Sequence, residues 1–281
     1  MMRAIITDKK YAVMYRKWLA PDPKAVFVLV HGLGAQSARW DFLADFFIKN
    51  NISSYAIELK GFGETEGLRG HVDSFDVYYE GIYRICDTAR AECPGKKIFI
   101  IGESMGALIA FQIVLRKPDL FDGLICLSPA FLSVLKFSIG KYIKIFKAMF
   151  FKPREQFEMP FNAEMCTRDK DYREVMDTDD REHRFASAKL LSCIFSAQMN
   201  SLIRKNKIKI PVLFLLAGKD SLTTPKISKV IFRGLKVKDK KLIFYPGLHH
   251  ALSIEKEKEK VFKDMREWVL PRISPRQKSA I

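Results

Sequence analysis

Short apolar runs, several of them apolar on both faces and most set apart by longer amphipathic stretches, restrict this chain more than any other feature. The runs are Val26–Val30, Ser53–Leu59, Ile98–Ile101, Leu124–Leu127, Val212–Leu216 and Leu242–Tyr245. Strands apolar on both faces belong in a parallel sheet covered by helices. Ala38–Lys49, Phe75–Ala91, Met105–Arg116 and Ile254–Leu270 carry helical apolar spacing. Ahead of them, Arg3–Thr7 and Tyr11–Leu19 flank Asp8-Lys9-Lys10, a hairpin signal. The expected class is α/β: a doubly wound, mostly parallel sheet behind an N-terminal antiparallel hairpin.

One interval breaks the rhythm. About 80 residues separate the strand ending near Ser128 from the one starting at Val212, far more than a crossover needs. The interval is helical in character, so residues 130–210 are expected to form an inserted helical cap. Residues 1–129 and 211–281 would form the core domain. Ligands of open α/β sheets bind at the C-terminal strand edge, where such a cap would lie.

Composition removes other classes. Among 281 residues, 48% are hydrophobic and 28% charged, which excludes a disordered chain or a coiled coil. MMRAIITDKK lacks the apolar core of a secretory signal, and no apolar run reaches the roughly 18 residues of a spanning helix. A cytoplasmic protein is expected. Five scattered cysteines without a CxxC pair read as reduced thiols, and no metal site is expected. The net charge of +16 is uneven: +1 over residues 1–130, +6 over 131–210 and +9 over 211–281. That excess favours anionic partners such as lipid headgroups. No RNA- or DNA-reading motif accompanies it, so nucleic acid is not expected.

The chemistry-bearing signal is Gly102-Glu103-Ser104-Met105-Gly106, between the strand Lys97–Ile101 and the helix Ala107–Arg116. A nucleophilic serine must be lifted from the backbone on a tight strand-to-helix turn, which glycine-sized neighbours permit. A helix-capping serine is the bland alternative. A serine hydroxyl needs a base, and the base needs an orienting acid, in the chain order Ser, Asp, His. Asp220 lies just past the strand Val212–Leu216, and His250 just past Leu242–Tyr245. Asp239 precedes its strand and would sit at the wrong sheet end. His31-Gly32-Leu33-Gly34 follows Val26–Val30. The backbone N–H groups of Leu33 and Met105 are expected to form an oxyanion hole, at about 3–4 kcal/mol per donor. His31 is read as bracing this loop, and His249 as a loop residue.

These motifs resemble the α/β-hydrolase superfamily, and within it the monoacylglycerol lipase and lysophospholipase group. HGLGAQSARW is similar to that group's HGxGxxSxRY loop, with Trp40 in the aromatic position. GFGETEGLRG is similar to GHGxSxGxRG, with Phe62 for His and Thr65 for Ser, and GESMGA to GESMGG. The group's G-x-x-H spacing from Gly247 falls on His250, and Asp220 lies in a GxD turn. Cys166-Thr167-Arg168-Asp169 and Asp179-Asp180 are similar to its TRDP…DP segment but lack both prolines. The resemblance implies an α/β-hydrolase fold and a serine hydrolase, without cofactor, cleaving the ester of a monoacylglycerol or lysophospholipid through an acyl-enzyme. A carboxylesterase, thioesterase or acyltransferase using the same residues is the first alternative. A non-catalytic lipid-binding protein is the second.

From Gly123 to Arg154 there is no acidic residue, while lysines recur from Lys136 to Lys152 between apolar residues at helical spacing. This amphipathic pattern with a lysine-only polar face has two compatible readings, a cap helix packed on the core with a solvated lysine face and an interfacial helix able to dock peripherally on anionic membrane. Glu255–Lys260 reads as a solvated helix start, and Arg272–Lys278 as a frayed basic end.

Overall fold

The apolar runs pair as their composition dictates. The computed structural model describes residues 5–8 and 13–273. Its strands are β1 (Ile6–Asp8), β2 (Val13–Trp18), β3 (Ala25–Val30), β4 (Ile52–Glu58), β5 (Lys97–Glu103), β6 (Gly123–Leu127), β7 (Gln156–Glu158), β8 (Phe185–Ser187), β9 (Val212–Ala217) and β10 (Lys240–Tyr245). Among the described residues the main sheet runs β1-β2-β4-β3-β5-β6-β9-β10. The β1–β2 and β2–β4 pairs are antiparallel and the rest parallel. Residues 3, 4 and 9–12 of the expected hairpin, and most of the basic tail, lie outside the described residues.

Both sheet faces are covered, which is why the central strands carry no polar alternation. Val26, Val28 and Val30 of β3 enter one core, and Phe27 and Leu29 the other. The first core is closed by α2 (Phe75–Glu92) and α3 (Met105–Arg116), the second by α1 (Asp41–Ile48) and α9 (Lys258–Ile273). Phe27 meets Phe47 edge-on, with centroids 4.7 Å apart. Truncating such a buried ring to Ala costs about 3–5 kcal/mol.

The parallel register aligns the C-terminal ends on one edge. Val30 lies opposite Gly102, Glu103 opposite Leu127, and Ala217 opposite Tyr245. The loops that leave β3, β5, β9 and β10 therefore emerge side by side.

Between β6 and β9 the chain builds α4 (Ile139–Phe151), α5 (Ala163–Cys166), α6 (Lys170–Thr178) and α7 (Ala188–Arg204), with β7 and β8 as a separate antiparallel ladder. A further helix, α8 (Pro225–Gly234), follows β9. Two expectations need correction here. The packed-cap reading of α4 does not hold for most of its apolar face, because the helix buries just Ile145 and Ala148. Ile139, Tyr142, Ile143, Phe146, Phe150 and Phe151 stand exposed among the lysines. Nor does a solvated helix start at Glu255. That residue is 0% exposed, in the link between a 3₁₀ turn at Leu252–Ile254 and α9.

Candidate active site

Ser104 sits between β5 and α3 with φ 57° and ψ −120°. This is left-handed backbone that a residue with a Cβ adopts only under constraint, at about 1–3 kcal/mol. The constraint is packing. A Cβ at Gly102 would lie 2.3 Å from the Gly106 carbonyl oxygen, and one at Gly106 would lie 2.0 Å from that of Val30. Both flanking glycines are required by close backbone approach.

His250 is buried in the loop after β10. Its Nδ1 lies 2.8 Å from Oδ2 of Asp220, in the loop after β9. Asp220 is fixed in turn. Its Oδ1 accepts the N–H groups of Leu222 and Thr223, and its Oδ2 accepts the Thr223 hydroxyl at 2.8 Å. Burial alone would raise the Asp220 carboxyl. The imidazole and the Thr223 donors outweigh it and hold the group below its usual range. Burial would likewise depress His250, but the Asp220 carboxylate reverses the sign and raises it. An ionised Asp220 that accepts from Nδ1–H leaves Nε2 as the basic nitrogen. That Nε2 is buried and has no partner among the described residues.

Ser104, His250, Leu33 and Met105 all line one cavity of about 540 Å³. Met105 is the first residue of α3, so its N–H is among the donors a helix start leaves free. The Leu33 loop is braced as expected. His31 Nδ1–H donates to the Gly32 carbonyl at 2.9 Å, and Nε2 accepts the Leu59 N–H at 3.1 Å. Burial pushes the His31 imidazole down to about 4, so it is neutral near pH 7. His249 turns to the Glu164 carbonyl, at 3.2 Å from its Nδ1. Asp239 lies at the far strand end, paired with Arg272. Of the expected residues, the structure thus brings together Ser104, His250, Asp220, Leu33 and Met105.

Sequence reasoning passed over four charged residues around this cavity. Arg39 and Glu182 form a buried ion pair in its wall, and Arg39 Nε and Glu182 Oε1 lack partners among the described residues. Arg39 carried a signal, its place in the HGLGAQSARW loop; Glu182 carried none. Glu103 and Glu255 anchor the loop that holds His250. Glu255 accepts the His249 N–H at 2.9 Å and pairs with Arg168 at 3.3 Å. The rest of the cavity wall is mainly apolar and comes mostly from residues 130–198, including Leu135, Phe137, Met159, Phe161, Leu191 and Ile194.

Sheet order, strained serine turn and buried His–Asp pair define an α/β-hydrolase, and the chain is a serine ester hydrolase. It belongs to the family described as Hydrolase_4, serine aminopeptidase S33, which matches residues 21–257. A phospholipase of Bacillus subtilis, YtpA, is 29% identical over 264 residues, covering 89% of this chain and 96% of the relative. Human monoglyceride lipase is 26% identical over 256 residues, covering 89% and 84%. The monoacylglycerol lipase of Paleococcus ferrophilus superposes with a TM-score of 0.84 at 27% identity, covering 92% of this chain and 99% of that one.

Proposed function

We propose that the enzyme hydrolyses the carboxylic ester of a single-chain lipid, a monoacylglycerol or lysophospholipid, with Ser104 as nucleophile. His250 Nε2 takes the Ser104 proton as Oγ attacks the ester carbonyl. Asp220 orients the imidazole and stabilises the imidazolium. The N–H groups of Leu33 and Met105 hold the oxyanion. His250 returns the proton to the departing alcohol, and then activates water to release the fatty acid from the acyl-enzyme. The observation that carries this reading is His250 itself. Its Nδ1 is committed to Asp220 and its Nε2 is unpartnered, in the same cavity that Ser104 lines.

The substrate class rests on the cavity's apolar wall, which suits an acyl chain, and on the lipases and phospholipase that resemble the chain. Residues 130–210 act as the cap over the site and residues 1–129 and 211–281 as the core. The surface of α4 brings this cytoplasmic enzyme to anionic membrane as a peripheral protein. Among the described residues no helix is long and apolar enough to cross a membrane.

The test is Ser104→Ala. It should lower hydrolysis of monoacylglycerol, lysophospholipid and a short p-nitrophenyl ester by about 10³-fold or more. Labelling by a fluorophosphonate should disappear while the thermal melt is preserved. Retained turnover in that variant would remove the nucleophile, and preference for acyl-CoA in the wild type would remove the lipid-ester reading.

A further inference from the structure

The carboxylate next to the nucleophile has a task of its own. Glu103 ends β5, immediately before Ser104, and is 4% exposed. Both its oxygens reach across to the loop that carries His250. The Ser253 N–H donates to Oε1 at 2.9 Å, and the Ser253 hydroxyl donates to Oε2 at 2.8 Å. Ser253 lies three residues past His250 in the rigid turn Leu252–Ile254. The serine turn and the histidine loop come from different strands and are 150 residues apart at this contact. Through Glu103 they become one hydrogen-bonded unit.

We propose that Glu103 is a positioning residue that fixes His250 relative to Ser104 and adds a second negative charge facing the imidazole. The inference rests on the assignment of Ser104 and His250 made above. The groups facing His250 are Asp220 and Glu103, both favouring the imidazolium, and Arg39, opposing it. Burial raises the Glu103 carboxyl, and the Ser253 N–H and hydroxyl, His250 and Arg39 oppose that rise, while Cys166 and Tyr172 beside it are kept protonated by burial. A neutral residue could make the same tether. The carboxylate does more, because its charge acts on the histidine that must hold a proton midway through each turnover.

Glu103→Gln separates charge from tether. The amide oxygen can accept the Ser253 N–H and the amide nitrogen can donate to its hydroxyl, so the link survives while the charge is lost. With a soluble p-nitrophenyl ester, the acid limb of kcat/KM should move to lower pH by about half a unit, since one support of the protonated imidazole is gone. The plateau kcat should fall about 3- to 10-fold. Glu103→Ala breaks the tether too, and should lower kcat about 10- to 100-fold with KM within about twofold, the cost of a misplaced base. Ser253→Ala removes one tether bond and keeps the charge, so its acid limb should stay near that of the wild type. A Glu103→Gln pH profile that superimposes on the wild type overturns the proposal, whether or not Glu103→Ala folds. Ser104→Ala, measured alongside, distinguishes the two failures. If it is inactive while Glu103→Gln is unchanged, the catalytic assignment stands and the role of Glu103 falls. If it is active, both fall.

Discussion

The sheet edge and the segment between β6 and β9 are held together by different physics. At the edge, Ser104 and Asp220 leave parallel strands that are buried on both faces. Backbone atoms there approach so closely that a methyl group cannot be added at Gly102 or Gly106. The segment joins the first core through Leu190 and Ala197 of α7, but α4 rests on a narrow apolar contact, Ile145 and Ala148, and the residues around α5 and α6 are tied by ion pairs, Arg168 to Glu255 and Lys258 to Asp169. It also leaves six large apolar side chains of α4 exposed. Close packing fixes atoms to within fractions of an ångström. An element held by a thin apolar stripe or by charge pairs at partly exposed sites is held more weakly. The edge suits bond-making, and the cap role proposed for the segment asks less precision of it.

The strongest way to break this division is at the edge. His250→Ala should lower kcat by several orders of magnitude, whereas His249→Ala should change it by no more than a few-fold. Comparable losses in the two variants, by soluble-ester kinetics, would mean that the base has been placed one residue off. The wild-type pH profile sharpens the same point. The Asp220 carboxylate raises His250 above its ordinary 6.5, and catalysis needs the neutral imidazole. Activity should therefore be lost as pH falls through a value above 6.5, and Asp220→Asn should move that limb down. An acid limb below 6.5 in the wild type would contradict the pairing.

The segment should respond in the opposite sense. Replacing Phe146, Phe150 and Phe151 together by Ser should weaken binding to anionic vesicles by about 3–5 kcal/mol, if each ring now buries part of its surface in lipid. Soluble-ester turnover should hold within about twofold, because none of the proposed catalytic groups is altered. Replacing Lys141, Lys144 and Lys147 by Gln should cost less, about 1–2 kcal/mol in all, and the loss should fade with salt. Lys144 already pairs with Glu155 at 2.8 Å, which offsets its charge, and Lys141 is held by the Glu158 carbonyl at 2.7 Å, which limits its reach. Co-sedimentation at low and high salt separates the two sets. A larger loss from the lysine variant would return the docking to electrostatics.

What could be read from the sequence follows the same boundary. Ser104 was legible because strand, glycine turn and helix are contiguous in the chain. Asp220 and His250 were legible because a strand's C-terminal end is a place on the sheet that sequence order can mark. Glu255 was misread because EKEKEK looks solvated from its neighbours alone, whereas Arg168, whose N–H and guanidinium it receives, lies 87 residues away. The two readings of α4 stayed open for a different reason. Helical spacing says which residues share a face, not which face finds a partner, and only a thin stripe of α4 does. Glu182 had no local signature, since its partner Arg39 is 143 residues distant.

The loop that carries His250 is sewn into α5 and the residues after it. The Ala251 N–H donates to the Cys166 carbonyl at 2.8 Å, and the Thr167 hydroxyl to that of Ile254 at 3.2 Å. This divides the segment by its tolerance of change. An insertion or deletion within residues 163–169 would shift the histidine itself and be punished as lost turnover, however far it lay from the acyl chain. The outer surface of α4 carries no such tie. Substitutions there can accumulate while the chemistry beneath runs at its old rate. The segment between β6 and β9 can therefore drift at two speeds.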